Sequence, residues 1–290
     1  MSDRAKGIAC IIISAFGFAL MAMFVRLCDD YGGEISSFQK SFFRNIIAFL
    51  IAAVVFLRAH SSGLRKSLGN LSPCVWGLLL LRSGLGTVGI FANFYALSHI
   101  SIAEGQTLNK TAPFFTVFFS WLLLGERVSF RQVVTLALAF GGVLFIAKPG
   151  FAGEATFPLA MGLLGGAGAG GAYTCVRKLG LLKVEGSVIV LVFSLFSCLA
   201  SIPFMFVRFD PMTCAQVMAL LGAGMGAAIG QFGITAAYRF AAARQIAVYD
   251  YTNILFTAAL GFVFFEQVPD VWSVLGAGII LLAAFRMRRD

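Results

Sequence analysis

The chain has 290 residues, of which 59% are apolar and only 12% charged, with a net charge of +9. A soluble domain carries about 25% charged residues, so too few remain here to coat a water-facing surface. The positive balance does not mark a nucleic-acid binder, because the basic residues gather at the ends of apolar blocks instead of along one face.

The blocks predict ten helices, in chain order 6–26, 35–57, 73–97, 101–123, 131–148, 157–179, 186–207, 214–239, 244–265 and 270–287. A helix needs about 20 mostly apolar residues to cross a bilayer. Helices satisfy their own backbone where water is absent, and these continuous runs do not alternate like the strands of a membrane barrel. Charged residues precede the first block, as in a signal peptide. Met21, Ala22, Met23 and Phe24 carry the run onward, which predicts an uncleaved first helix. The connections are short and leave no room for a soluble domain between helices. The longest, near 58–72, holds Arg58, Arg65 and Lys66. The six cysteines form no C-x-x-C pair and read as small packing residues, so no disulfide, metal or cofactor is expected.

Loop Lys and Arg set the orientation. With the N-terminus in the cytoplasm, fifteen basic residues fall inside, among them Arg4, Arg127, Arg177, Arg244 and Arg289. The outer ends hold chiefly Lys148, Arg208 and Arg26, beside acidic Asp29, Asp30, Glu34, Glu154, Asp210 and Asp270. Ten spans with both termini cytoplasmic fit this asymmetry.

The chain also resembles itself. "ALSHISIAEGQTLNKTAPFFTVFFSWLLLGERV" at 96–128 lies without a gap over "AAYRFAAARQIAVYDYTNILFTAALGFVFFEQV" at 236–268, an offset of 140. "FVR" at 24–26 meets "CVR" at 175–177 at an offset of 151, so the first half carries an eleven-residue insertion, naturally placed at 58–72. Two halves are expected, 1–150 and 151–290, with five helices each. Five is odd, so the second half enters the membrane from the opposite face. Inverted repeats of this kind are common in secondary transporters, whose sites lie near the midplane between the halves.

Gly84, Gly86 and Gly89 spell G-x-G-x-x-G, the letters of a dinucleotide-binding turn. That turn needs a strand before it and a helix starting within it. Here the glycines stand inside an apolar run, so they read as close helix crossings. The G-x-x-x-G-x-x-x-G series at Gly162, Gly166 and Gly170, and at Gly222, Gly226 and Gly230, read the same way.

Arg44, Arg82, Lys110 and Asp250 fall deep within predicted helices. Each costs roughly 2.5–3.5 kcal/mol at mid-bilayer on insertion scales, so they are expected to face a cavity or one another. Lys110 and Asp250 are equivalent at the offset of 140. Three cations face one clear carboxylate, with Glu104 a second candidate near a helix end. Arg offers a planar fork to a carboxylate, while Lys is a point charge. Arg44, Arg82 and Lys110 are therefore candidate ligands of a substrate carboxylate, and Asp250 or Glu104 a candidate for binding an ammonium or carrying a coupling proton. Permanent pairing that merely holds helices together is the competing reading. Asn93, Tyr95, Gln106, Asn109, Tyr249, Tyr251 and Asn253 are candidates to complete the pocket. Gln106, Asn109, Lys110 and Pro113 share one side of the predicted fourth helix, which Pro113 is expected to bend. Glu126 and Glu266 sit at helix ends and read as structural.

Several stretches carry a family resemblance: "SFFRN" at 41–45, "LLLRSGLG" at 79–86, "YALSHISIAEGQTLNKTAPFF" at 95–115 with "LLLGE" at 122–126, and "ARQIAVYDY" with "FFE" in the second half. In these the chain resembles the EamA-type proteins of the drug/metabolite transporter superfamily, over essentially its whole length. The second half departs from the pattern, with Asn253 in place of Pro113 and Phe265 in place of Gly125. The resemblance implies an all-α integral membrane protein with ten transmembrane helices, two inverted five-helix repeats around a central cavity. It implies export of an amino acid or movement of another small metabolite across a bacterial cytoplasmic membrane. The expected partners are a small-molecule substrate, the lipid bilayer and coupling protons, in a monomer or homodimer. An exchanger of a larger metabolite such as S-adenosylmethionine is a close variant. A membrane-embedded enzyme lacks a paired-carboxylate or His motif for its chemistry, and a channel lacks a filter signature.

Overall fold

A computed structural model describes residues 2–59, 71–97, 99, 107–147, 156–207, 209–266, 268 and 270–289. Its elements are α1 (Asp3–Asp30), α2 (Ser37–Ala59), α3 (Pro73–Leu97), α4 (Ala112–Leu124), α5 (Phe130–Ala147), α6 (Thr156–Leu181), α7 (Gly186–Val207), α8 (Cys214–Phe240), the short α9 (Ala243–Ile246), a 3-10 turn over Ala247–Tyr251, α10 (Thr252–Phe265) and α11 (Val271–Arg289). No strand occurs among the described residues. Among the described residues, seven spans are long and apolar enough to cross a membrane, one of them Ala243–Phe265, which joins α9, the 3-10 turn and α10. Phe130–Ile146 and Val271–Met287 are shorter apolar helices, and α4 completes ten. The predicted helix limits hold to within four residues wherever the chain is described. Leu123, Val263 and Leu282 stand 65%, 68% and 70% exposed, as suits side chains that lipid covers.

Polar contacts sort the helix ends onto two faces. Arg4 donates to the Met287 carbonyl, so the first and last helices begin and end side by side. On the opposite face the α1–α2 and α7–α8 connections are tied together. Ser36 N–H donates to Asp210 Oδ2 at 2.7 Å, and Gln39 both donates to and accepts from the Asp210 backbone, at 3.0 and 2.8 Å. Gln216 Nε2 reaches the Gly33 carbonyl at 3.1 Å. These ties suit spans that alternate in direction.

The helices pack in a pattern that survives exchanging the first five spans for the last five. α1 lies against α8, and α3 lies against α6. α4 meets α6, and α10 meets α1. α2 packs on α7, and α5 on α11. The crossings rest on small residues. A Cβ on Gly17 of α1 would lie 2.5 Å from Gly230 N and 2.8 Å from Gly226 O of α8. A Cβ on Gly168 of α6 would lie 2.8 Å from Leu85 O and 3.1 Å from Gly89 N of α3. Gly168 is Gly17 moved by the offset of 151. Each crossing needs glycine because backbone meets backbone. The Gly162, Gly166 and Gly170 stripe instead meets Leu108, Thr111 and Phe115 of the fourth span. Gly84 has open space around it and takes no part in a crossing.

Gly17→Leu is expected to force α1 and α8 apart. Overpacking costs about 1–3 kcal/mol, and rigid backbone on both sides puts this site at the upper end. A fall in melting temperature, followed by size-exclusion chromatography across a heating series, measures it. An unchanged melting temperature would contradict the crossing.

Candidate functional site

Arg82 stands midway along α3 and is 2% exposed. α7 supplies its neighbour: the guanidinium carbon sits 3.5 Å from the centroid of the Phe193 ring. A desolvated cation over an aromatic face gains about 2 kcal/mol. That contact leaves the hydrogen-bonding edge unsatisfied, since Nε and Nη1 are buried without an acceptor. A guanidinium held over an apolar plate, with two of its nitrogens lacking an acceptor, is set up for an anion. Arg44 of α2 lies 5.8 Å from the Phe18 ring of α1. It is close enough to Arg82 for the two charges to interact.

Tyr173 of α6 connects this pair to the rest of the centre. Arg44, Arg82 and Asp250 all lie within electrostatic reach of its hydroxyl. Its ring stacks on that of Tyr238 of α8, centroids 5.3 Å apart. Sequence reasoning singled out neither tyrosine.

The fourth and ninth spans are both interrupted here. Thr107–Asn109 is helical, Lys110 and Thr111 form a turn, and α4 starts afresh at Ala112. The bend expected at Pro113 is therefore an interruption. Pro113 stands in the first turn of α4, where its missing N–H leaves nothing unsatisfied. Asn109, Lys110 and Pro113 consequently do not share one continuous helix. In the ninth span the 3-10 turn Ala247–Tyr251 occupies the equivalent place, 140 residues on, and α10 begins at Thr252. No proline is needed there. Neither Thr111 nor Tyr251 makes a side-chain cap; the Thr252 N–H that opens α10 is bonded back into the 3-10 turn, while α4 starts at a break in its span.

Lys110 Nζ donates to Asn253 Oδ1 at 2.5 Å, and Asn253 Nδ2 donates to the Ala15 carbonyl of α1 at 2.9 Å. The two interruptions and α1 are thus joined through one amide. Asp250 is within electrostatic reach of Lys110, but no direct ion pair forms between them. Among the candidates, Arg44 is brought near Arg82, and Lys110 near Asp250 and Asn253, with Tyr173 between the two groups. Tyr249 and Tyr251 are buried in the 3-10 turn, with the Tyr251 ring 6.3 Å from Phe140 of α5. Asn93 packs against Gly165 of α6 with its Oδ1 buried and unpaired. Asn109 is half-buried beside Lys110. Tyr95 is 39% exposed at the end of α3, where it stacks on His99 and meets Phe157 edge to face. Glu104 and Gln106 lie outside the described residues.

Glu126 belongs to a different site, as its helix-end position predicts. It accepts from Arg177 Nε at 2.9 Å, joining the ends of α4 and α6 on the face that carries both termini. Arg244 Nη1 donates to the Arg127 carbonyl at 2.5 Å on the same face.

A membrane bundle with interrupted helices and unmatched charge at its centre is built to hold an ion or a charged solute. Comparison with known proteins decides the family. Residues 5–148 match the EamA-like transporter family. The pseudopaline exporter of Pseudomonas aeruginosa is 28% identical over 98% of this chain and 96% of its own length. The chain belongs to the EamA-like transporter family. Human solute carrier family 35 member G1 is 25% identical over 93% of the chain and 75% of that protein. A riboflavin transporter of Rhizobium johnstonii is 27% identical over 73% of the chain and 70% of that protein. A solved crystal structure shares the fold with a TM-score of 0.78 at 18% identity, covering 95% of this chain and 98% of the other. The EamA assignment and these relatives make the chain a multi-pass membrane transporter in the drug/metabolite group, not an enzyme.

Proposed function

We propose that this EamA protein is a secondary transporter, an exporter or exchanger, that moves a small carboxylate-bearing metabolite such as an amino acid by alternating access. The observation that carries the reading is the buried Arg82 guanidinium with two nitrogens lacking an acceptor. A permanent structural arginine would have found a carboxylate or carbonyl. A transporter's arginine waits for one.

Two halves, 1–150 and 151–290, move against each other in this reading. Three observations support their inverted equivalence: the exchange-tolerant packing, the matched Gly17 and Gly168 crossings, and the interruptions 140 residues apart. Asp250, facing Lys110, is the group to carry a coupling proton or bind a substrate ammonium. A bacterial cytoplasmic membrane with both termini inside is supported by the loop Lys and Arg asymmetry and by the bacterial relatives. Export is favoured by the name of the Pseudomonas relative.

Counterflow in proteoliposomes tests the proposal with a panel of labelled amino acids and organic acids. A carrier accelerates uptake when vesicles are preloaded with the same unlabelled solute. Uptake indifferent to preloading would instead indicate a channel, and chemical alteration of the solute would indicate an enzyme.

A further inference from the structure

The charges at the centre do not balance, and the imbalance has a size. Arg44, Arg82 and Lys110 bring three cations from the second, third and fourth spans, and Asp250, which faces Lys110, is the one carboxylate among the described residues within reach of any of them. Carboxylates elsewhere have work at the membrane faces. Glu126 holds Arg177, Asp29 holds Lys40 at 2.7 Å, and Asp210 holds the Ser36 amide. The cations also stand in two places. Arg82, over Phe193, shares its locality with Arg44. Lys110 is drawn toward α10 by Asn253. Tyr173 lies between, within reach of both arginines and of Asp250. In a medium that solvates ions poorly, an excess of two positive charges must be met by whatever occupies the centre.

We propose that the transported solute carries two anionic groups, one held by the Arg82–Arg44 pair and the other by Lys110. This rests on the carboxylate reading above and narrows it from a carboxylate-bearing metabolite to a dianion. The Arg82 guanidinium, with Nε and Nη1 free of protein acceptors, donates charge-assisted hydrogen bonds to a carboxylate. Lys110, a point charge, exchanges its contact with Asn253 for the second group. That releases Asn253 to move with α10. The uncapped N-terminus of α4, two residues beyond Lys110, adds partial positive charge on the same side. A zwitterion with one carboxylate would leave a cation unmatched and place its ammonium among three others.

The test compares succinate with succinamate, its mono-amide, which has nearly the same shape and one negative charge fewer. Counterflow of both is measured in proteoliposomes at neutral pH, alongside citrate, glutamate, lactate, alanine and ethanolamine. Wild-type protein is expected to favour succinate over succinamate by at least tenfold. Lys110→Gln is expected to erase that preference, mainly by losing succinate. Arg82→Gln is expected to lose both. The proposal is overturned if succinamate, lactate or alanine is carried as well as any diacid, in which case the carboxylate reading still stands. It is also overturned if no diacid in the panel moves. Transport of ethanolamine alone would remove both readings together. Glu104→Gln adds a check on a counter-charge six residues before Lys110 in sequence. If Glu104 supplies it, the wild-type chain prefers monoanions and only the variant prefers succinate, which also overturns the proposal.

Discussion

Replacing Arg82 with Met is expected to raise the melting temperature of the ligand-free protein and to abolish its transport. The two effects share one cause. A charged side chain at the middle of a membrane helix costs roughly 2.5–3.5 kcal/mol, and contact with Phe193 returns about 2 kcal/mol of that. Met fills similar space over the same ring and carries no charge. The ligand-free protein should therefore gain about 1 kcal/mol, a rise of roughly 2–4 °C for a chain of this size. Transport loses the charge-assisted hydrogen bonding that the free guanidinium edge offers to solute. At about 1.5–3 kcal/mol for each such bond, loss of one alone lowers counterflow at limiting solute by about 10-fold to 100-fold. Differential scanning fluorimetry and counterflow on one preparation measure both. A fall in melting temperature with transport intact would make Arg82 a structural residue.

Glu126→Gln is expected to weaken closure on the face that carries both termini. The Glu126–Arg177 pair is largely buried, its side chains 12% and 15% exposed. Removing one member of a buried pair costs about 3–5 kcal/mol, because the other is left without its counter-charge. Arg177 keeps only long contacts, at 3.5 Å, to the Tyr238 and Arg239 carbonyls. The pair joins α4 to α6, and Arg244 ties α9 to the end of α4 beside it. Alternating access requires these contacts to break and reform in each cycle. The variant therefore shifts toward the state open on this face and slows counterflow by at least tenfold. Cys175, 6% exposed and two residues before Arg177, reports the opening. In a chain retaining only that cysteine, Glu126→Gln should speed its reaction with a membrane-impermeant maleimide applied to the terminal face. Adding Arg177→Gln, which leaves no charge stranded, should restore much of the lost stability. Unchanged labelling and unchanged transport would show that the pair gates nothing.

The helices were legible because lipid imposes a single rule on every span, and the apolar blocks record it directly. α3 and α7 match their predicted limits at both ends, 73–97 and 186–207. The interruption of the ninth span was not legible. "AVYDY" contains neither Gly nor Pro, and its 3-10 conformation depends on contacts with α1, α5 and α4. In the fourth span Pro113 marked a disturbance, but composition alone does not separate a bend from a restart. At the site, charge in an apolar run exposed Arg44, Arg82, Lys110 and Asp250, because each is too costly to be incidental. Tyr173, Tyr238 and Phe193 escaped notice. Aromatic residues are ordinary in membrane helices, and only the packing shows that one ring supports a guanidinium and two others stack beside it. Tyr95, a polar aromatic candidate by residue type, stands at the helix end, stacked on His99.

An experimental density map of the protein with its transported solute bound tests the central claim most directly. The account predicts solute density between the third, fourth and ninth spans, within hydrogen-bonding distance of the Arg82 guanidinium and of Lys110 Nζ. Density elsewhere in the bundle, with Arg82 still lacking an acceptor, would contradict it.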